Sequence, residues 1–190
     1  MSKATVAIVG HGTSLKVNRL GYLIDAHDYV VRLKKGINLA REFPASYGTR
    51  TTHACLAVDV ISGITDLASE QALYDKQEIW LYDNKHSDYN GNVVRESDLV
   101  AKWLARYNTI RESTYFVDFF STGTASVLFA CKRLNVPTIT LFGFDAYRHP
   151  QTEYQNAFGK TLAVGHDWAL ERILIEEISR SFGTTLVFVE

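Results

Sequence analysis

A histidine five residues before a glutamate is the strongest candidate for chemistry in this chain of 190 residues. His166 and Glu171 lie where a loop is predicted to end and a helix to begin. An imidazole titrates near neutral pH and is therefore suited to taking a proton from a hydroxyl group. A histidine at the start of a helix is also common as a surface or capping residue, so both interpretations stay open at this point. The five-residue spacing gives the two side chains a large angular offset and does not require a direct contact.

A loop with two glycines follows the first predicted strand. The apolar run 6–9 has no polar interruption, which is typical of a strand buried on both faces of a sheet. Glycine allows the backbone to turn sharply and to approach a ligand closely. Because ligands bind beyond the carboxyl ends of the strands in open α/β sheets, the sequence predicts that this loop is the floor of a nucleotide site. Its candidate binding residues are Gly10, His11, Gly12, Thr13 and Ser14.

A second loop, with Ser121, Thr122 and Gly123, precedes a helix predicted at about 125–134. Free backbone N–H groups and two hydroxyls at a helix N-terminus suit a phosphate. A simple Ser/Thr cap explains the same residues equally well.

Helical and extended patterns alternate along the rest of the chain. The predicted strands are 6–9, 29–33, 51–57, 78–82, 115–119, 138–142 and 184–189, and the predicted helices are 62–74, 97–110, 125–134 and 166–182. Segments 36–48, 83–92 and 146–165 are predicted to be loops. This alternation predicts an α/β fold: a Rossmann-like, doubly wound, mostly parallel sheet of about seven strands in a single domain, 1–190. Both glycine loops should then lie at one edge of the sheet.

Composition argues against several classes of partner. With a net charge of −1, the chain has no general electrostatic attraction for nucleic acid or an anionic membrane. It has no apolar run long enough to span a bilayer and no signal-peptide pattern at its N-terminus, which predicts a cytoplasmic location. Cys55 and Cys131 lack metal-ligand spacing and are expected to be buried thiols. A nicotinamide cofactor is not favoured, because Leu15 stands where the dinucleotide fingerprint has its third glycine.

Taken in order, these segments resemble the motifs of the eukaryotic-type sialyltransferase family. The family's long motif runs from a strand and Gly-Asn-Ser, through Asp-x-x-Asp-x-Val-x-Arg-x-Asn, to Gly-x-x-Thr-Thr-His. Its short motif has Ser/Thr-Thr-Gly, a helix, a strand and Tyr-Gly-Phe, and its last motif is His-x4-Glu. The matching positions here are 9–12, 25–34, 48–53, 121–123, 142–144 and the pair His166 and Glu171. The resemblance extends from about residue 5 to residue 178.

The resemblance implies an inverting glycosyl transfer that needs neither a metal ion nor a cofactor. Sialic acid or a related acidic sugar would pass from a CMP-activated donor to the hydroxyl of a glycan or other acceptor. His166 would be the general base, and His149 would assist the departing phosphate. The donor nucleotide would be bound by the two glycine loops together with Arg32 and Lys34. Glu171 and Asp28 would support the site, Asp28 by anchoring backbone N–H groups of a loop.

Two departures from the family pattern leave the donor sugar open. The family's asparagines fall on His11 and Lys34, and Lys34 adds a positive charge that would face a phosphate, a sugar carboxylate or simply solvent. The family's disulfide cysteines align with Val6 and Val136, which agrees with a reducing cytosol. These features suggest a short bacterial- or phage-like member.

The sequence leaves three alternatives open. The chain could use another nucleotide sugar, such as CMP-Kdo or a UDP-sugar, or it could be a non-catalytic nucleotide-binding module. A modified phage DNA base is a further possible acceptor, which the near-neutral charge makes less attractive.

Overall fold

Seven parallel strands form one sheet in the computed structural model, which describes residues 4–57, 77–82, 93–111, 120–148 and 166–189. The strands are β1 (Val6–Val9), β2 (Tyr29–Leu33), β3 (His53–Ala57), β4 (Glu78–Tyr82), β5 (Val93–Val94), β6 (Thr138–Phe142) and β7 (Thr185–Val189). Their order is β5-β4-β3-β2-β1-β6-β7, and every neighbouring pair is parallel. The predicted doubly wound, mostly parallel α/β fold is confirmed.

Helices cover both faces of this sheet. They are α1 (Ser14–Asn18), α2 (Gly21–Asp25), α3 (Gly36–Glu42), α4 (Pro44–Tyr47), α5 (Ser97–Ile110), α6 (Thr122–Leu134), α7 (Asp145–Arg148) and α8 (Trp168–Ser181). Alternate residues of β1 enter different cores: Val6 and Ile8 pack with residues of α5, α6 and α8, whereas Ala7 and Val9 pack with residues of α1 to α4. Because both faces of β1 are buried, its sequence is apolar without interruption.

The position of β1 creates the crevice in which a ligand can bind. The chain builds the sheet outward from β1 to β5 and then returns to place β6 on the other side of β1. The loops that follow β1 and β6 therefore leave the same edge of the sheet in different directions. In open α/β folds this switch point is the usual ligand site.

The prediction of a loop at 36–48 is wrong, since α3 and α4 occupy most of this segment. Pro44 occupies the first turn of α4, where its missing N–H breaks no helical hydrogen bond. Leu39, Ala40 and Tyr47 are buried against the sheet, so tertiary packing stabilises these short helices.

Other element boundaries differ for local reasons. Ser121 caps α6 through a hydrogen bond from the Thr124 N–H, so the helix begins three residues earlier than predicted. Asp167 caps α8 in the same way, which leaves His166 outside the helix. The short edge strand β5 and the short helix α7 were not predicted. The predicted helix 62–74, loop 83–92 and strand 115–119 lie outside the described residues.

Cys55 and Cys131 are buried free thiols, as expected. In the part of the chain that the structure describes, no helix combines the length and apolar character needed to cross a bilayer.

Candidate active site

A cavity of about 200 Å³ opens at the carboxyl edge of the sheet. Its walls are the residues that follow β1, β2 and β6, together with the N-terminal regions of α6 and α8. Seven predicted site residues line it: Gly10, His11, Lys34, Ser121, Thr122, Gly123 and His166. The fold thus brings together both glycine loops and the candidate base.

His166 and Glu171 form a direct hydrogen bond, with 2.7 Å between Nδ1 and Oε1. The spacing alone did not predict this contact. It forms because His166 precedes the capping residue Asp167, so the angular offset expected on a continuous helix does not apply. The turn at Asp167 brings the imidazole within hydrogen-bond distance of the carboxylate.

The Glu171 carboxylate is completely buried among hydrogen-bond donors. Besides His166, it accepts from the Ser121 backbone N–H at 3.0 and 3.1 Å and from the Thr124 and Tyr147 hydroxyls. Burial alone would raise the pKa of Glu171, but the hydrogen bonds from His166, Ser121 and Thr124 outweigh it and the pKa lies below its usual value. Glu171 is therefore ionised at neutral pH.

The charge on Glu171 determines which tautomer of His166 is present. Because an ionised carboxylate can only accept, Nδ1 of His166 carries the proton and donates. In the neutral imidazole, Nε2 then holds the lone pair. This is the form in which a histidine acts as a general base.

The loop before α6 presents backbone and hydroxyl groups to the cavity. Ser121 Oγ accepts from the Thr124 N–H at 3.1 Å and is also hydrogen-bonded to the Tyr147 hydroxyl. A Cβ at Gly123 would lie 2.7 Å from that hydroxyl, so glycine is needed for the close packing. Thr122 and Gly123 line the cavity at the positive end of a helix of 13 residues.

The loop after β1 contributes Gly10 and His11. A Cβ at Gly10 would lie 2.5 Å from the carbonyl oxygen of Gly143, so any larger residue would separate β1 from the loop after β6. His11 Nε2 lies 2.9 Å from the Leu33 carbonyl oxygen. Burial, together with the smaller effect of the Lys34 charge, lowers the pKa of His11 to about 4, so His11 is neutral and donates through Nε2.

Lys34 adopts an unusual backbone conformation at the cavity wall. Its φ of 43° lies in the left-handed region, which lysine rarely adopts. Its backbone N–H donates to the Cys55 carbonyl at 2.9 Å, which fixes the turn at the end of β2.

Four predicted donor-binding residues are not among those that line the cavity: Gly12, Thr13, Ser14 and Arg32. Ser14 donates to the Asp145 carboxylate through its backbone N–H at 3.0 Å and its hydroxyl at 2.6 Å. The Gly12 N–H donates to the Gly143 carbonyl, and Thr13 directly precedes α1.

Arg32 is completely buried and donates to the carbonyls of Tyr47 and Arg50 and to the Thr51 hydroxyl. It therefore holds the segment between α4 and β3 in place.

Two predicted site residues remain, Asp28 and His149. Asp28 precedes β2, at the opposite edge of the sheet from the cavity, and accepts from the Thr5 backbone N–H at 2.8 Å and from the Thr5 hydroxyl. His149 lies outside the described residues.

Sequence reasoning missed three aromatic residues that line the cavity, Phe144, Tyr147 and Trp168. The Trp168 ring packs against the core and also lies 4.9 Å from the ring of His166. Tyr147 falls in the predicted loop 146–165, where no pattern distinguished it. Phe144 is in the segment 142–144, which resembles the short motif and could have indicated it.

The described residues contain no group of three or more His, Cys, Asp or Glu side chains placed to hold a metal ion.

Comparison with known proteins agrees with the arrangement of motifs. Residues 2–91 match the model of glycosyltransferase family 29 (sialyltransferase). No curated protein sequence shows significant similarity to the chain.

Two crystal structures have a similar fold. A mammalian sialyltransferase in complex with Gal-beta-1-3GalNAc-ortho-nitrophenol is 17% identical, with a TM-score of 0.62 over 98% of this chain and 70% of that chain. A second structure of a mammalian sialyltransferase is also 17% identical, with a TM-score of 0.63 over 98% of this chain and 69% of the other. Residues 2–91 thus match the sialyltransferase family of glycosyltransferases in sequence, and nearly the whole chain shares the fold of two mammalian sialyltransferases.

Proposed function

We propose that this protein transfers an acidic sugar from a CMP-activated donor to an acceptor hydroxyl, with His166 as the general base. The observation that carries the proposal is the hydrogen bond between His166 and the buried, ionised Glu171, in the same cavity as the N-terminus of α6.

The proposed reaction is a single displacement. His166 Nε2 takes the proton of the acceptor hydroxyl while the acceptor oxygen forms a bond to the anomeric carbon. The bond from that carbon to the phosphate oxygen breaks, and CMP leaves with the electron pair. Attack from the face opposite the leaving group inverts the configuration of the anomeric carbon.

Positive charge in the cavity would stabilise CMP as it leaves. Lys34 and the residues at the N-terminus of α6 line the cavity. Neutral His11 adds no charge, and its N–H already donates to the Leu33 carbonyl. The reaction would then proceed without a metal ion, and His149 is proposed to assist the departing phosphate.

The acceptor is proposed to be a glycan. The support is the sugar compound bound to the mammalian sialyltransferase of similar fold. A transferase that uses another nucleotide sugar is the second candidate, supported by His11 and Lys34 at the positions where the family has asparagine.

The test is a comparison of His166→Ala with His27→Ala. His27 bonds to the Leu23 carbonyl and the Thr140 hydroxyl and is not among the cavity-lining residues, so it controls for the loss of a histidine. With CMP-sialic acid as donor, we expect His166→Ala to lose transfer by at least about a hundredfold while CMP still raises the melting temperature. His27→Ala should retain transfer.

Two results would contradict the proposal. Transfer at the wild-type rate by His166→Ala would exclude His166 as the general base. An unchanged melting temperature at millimolar CMP would exclude a CMP-activated donor. Transfer assays with CMP-Kdo and UDP-sugars as donors test the second candidate, a transferase that uses another nucleotide sugar.

A further inference from the structure

A hydrogen bond and an aromatic ring hold the imidazole of His166 from two directions. Glu171 accepts from Nδ1 at 2.7 Å, and the Trp168 ring lies 4.9 Å from the imidazole, centroid to centroid. The angle between the two ring planes is 30°, so the rings are closer to stacked than to edge-on. The side chain of His166 is 23% exposed, so these contacts restrict a group that also reaches the cavity.

The indole is itself held in place by a second aromatic residue. Its ring centroid lies 5.4 Å from that of Tyr147, which is buried and whose hydroxyl bonds to Glu171 at 3.2 Å. The four side chains therefore form a closed circuit, from His166 to Glu171, Tyr147, Trp168 and back to His166. Tyr147, whose hydroxyl is anchored on the buried carboxylate, therefore restricts displacement of the indole.

A single hydrogen bond cannot hold an imidazole ring in one plane. The last side-chain torsion of histidine is broad, and combined changes of the two side-chain torsions can turn the ring about the line from Nδ1 to its partner, which moves Nε2 while the hydrogen bond is kept. A flat ring against one face of the imidazole blocks that rotation. The direction of the Nε2 lone pair decides whether a proton can be transferred, so the plane of the ring affects the rate.

We propose that Trp168 is a positioning residue for the base, since its indole holds the plane of the His166 imidazole while Glu171 holds Nδ1. This inference rests on the proposed role of His166. The imidazole becomes a cation when it takes the acceptor proton, and an aromatic face at this distance also favours a cation. Trp168 thus supports both the orientation of the base and the product of proton transfer.

The test compares Trp168→Leu with Trp168→Phe. Leucine keeps an apolar side chain but removes the ring, whereas phenylalanine keeps a flat face. We expect Trp168→Leu to lower kcat by about tenfold and to change the donor KM by less than about twofold. Trp168→Phe should recover kcat to within about threefold of the wild type. Trp168→Met provides a second variant without a ring if the leucine variant does not fold.

A second measurement reports the contact without turnover. In NMR spectra, the ring protons of His166, identified by their absence from His166→Ala, should lie upfield because of the indole ring current. They should move downfield in Trp168→Leu and stay near their wild-type position in Trp168→Phe. Tyr22→Leu, at a 71% exposed position on α2, is the matched control and should change neither kcat nor these signals.

Three outcomes would overturn the inference: a wild-type kcat in Trp168→Leu, unchanged His166 ring signals in that variant, or a raised donor KM at constant kcat. The last result would make Trp168 a wall of the sugar site instead. If His166→Ala retains transfer, the proposed function fails. If His166→Ala is inactive and Trp168→Leu is fully active, only the inference about Trp168 fails.

Discussion

The loop after β1 and the loop before α6 have similar residues, yet they present different atoms to the cavity. Each combines glycine with threonine and serine next to a helix. The first loop contributes the backbone of Gly10 and the imidazole of His11, while Ser14 does not line the cavity. The second contributes Ser121, Thr122 and Gly123 together.

A carboxylate from elsewhere in the chain accounts for this difference. Asp145, which begins α7, accepts from the backbone N–H and hydroxyl of Ser14 and holds that serine against the loop after β6. Glu171 accepts instead from the backbone N–H of Ser121 and leaves its hydroxyl to cap α6. Similar loop sequences therefore acquire different roles from acids far away in the sequence.

The largest expected effect is at Glu171. In Glu171→Gln the amide NH₂ would face N–H and O–H donors, which should reduce the free energy of unfolding by about 3 kcal/mol and abolish transfer. Urea unfolding at pH 7 measures the loss. Glu177→Gln removes only an exposed ion pair with Arg106 and should cost less than about 1 kcal/mol. Equal losses in the two variants would contradict the importance given to the buried carboxylate.

The pH dependence of stability gives a second measure of Glu171. Because its pKa is lower in the folded protein, its contribution is fully present above the unfolded value near 4.3. That contribution is lost as the pH falls through the lower folded value. The difference in unfolding free energy between the wild type and Glu171→Gln should therefore narrow below about pH 4. A difference that stays constant down to pH 2 would show that the charge is not involved.

The variants Ser121→Ala and Ser14→Ala test the difference between the two loops most directly. Each variant removes a hydroxyl hydrogen bond and should reduce the unfolding free energy by about 1 kcal/mol. Only Ser121→Ala should weaken CMP binding, because Ser14 is not among the cavity-lining residues. The increase in melting temperature with added CMP measures CMP binding in both variants. Equal loss of CMP binding in the two variants would mean that both loops hold the nucleotide through their hydroxyls.

The smallest expected change is a gain in stability. Lys34→Asn places a residue that tolerates positive φ at a left-handed position and should raise the unfolding free energy by about 0.5 kcal/mol. It should also weaken the binding of CMP and leave that of cytidine unchanged, because in the proposed function the lost charge stabilises the phosphate.

Arg19→Asn is the matched control for Lys34→Asn. Arg19 has a φ of 50° and lies outside the cavity lining, so this variant should give the same gain in stability with no change in CMP binding. If Lys34→Asn binds CMP as tightly as the wild type, the lysine does not contact the phosphate.

Much of the fold could be predicted because its signals are local. Strands such as β1 and β6 are apolar runs, and a buried parallel strand needs little else to be recognised. Helices α3 and α4 could not be predicted, since Pro44 and Gly48 resemble loop punctuation and only packing against the sheet makes the segment helical.

The site was only partly predictable, because its decisive contacts join distant or sharply turned segments. The second glycine loop and His166 were identified from residue type and position. The contact of His166 with Glu171 depends on the turn at Asp167, and the place of Ser14 depends on Asp145, which no spacing indicates. Trp168 is a large apolar residue of the kind that usually lies in a core, and its contact with His166 is visible only in the structure.

The central place of β1 also constrains how this protein can fold. Val6 pairs with Tyr29 on one side and with Ile139 on the other, so the first strand acquires its second neighbour only after most of the chain has been made. Such long-range pairing slows folding, and until it occurs β1 is an exposed strand edge prone to aggregation. Since the loops after β1 and β6 meet only at that step, a truncated chain ending before Thr138 should neither bind a nucleotide nor stay soluble.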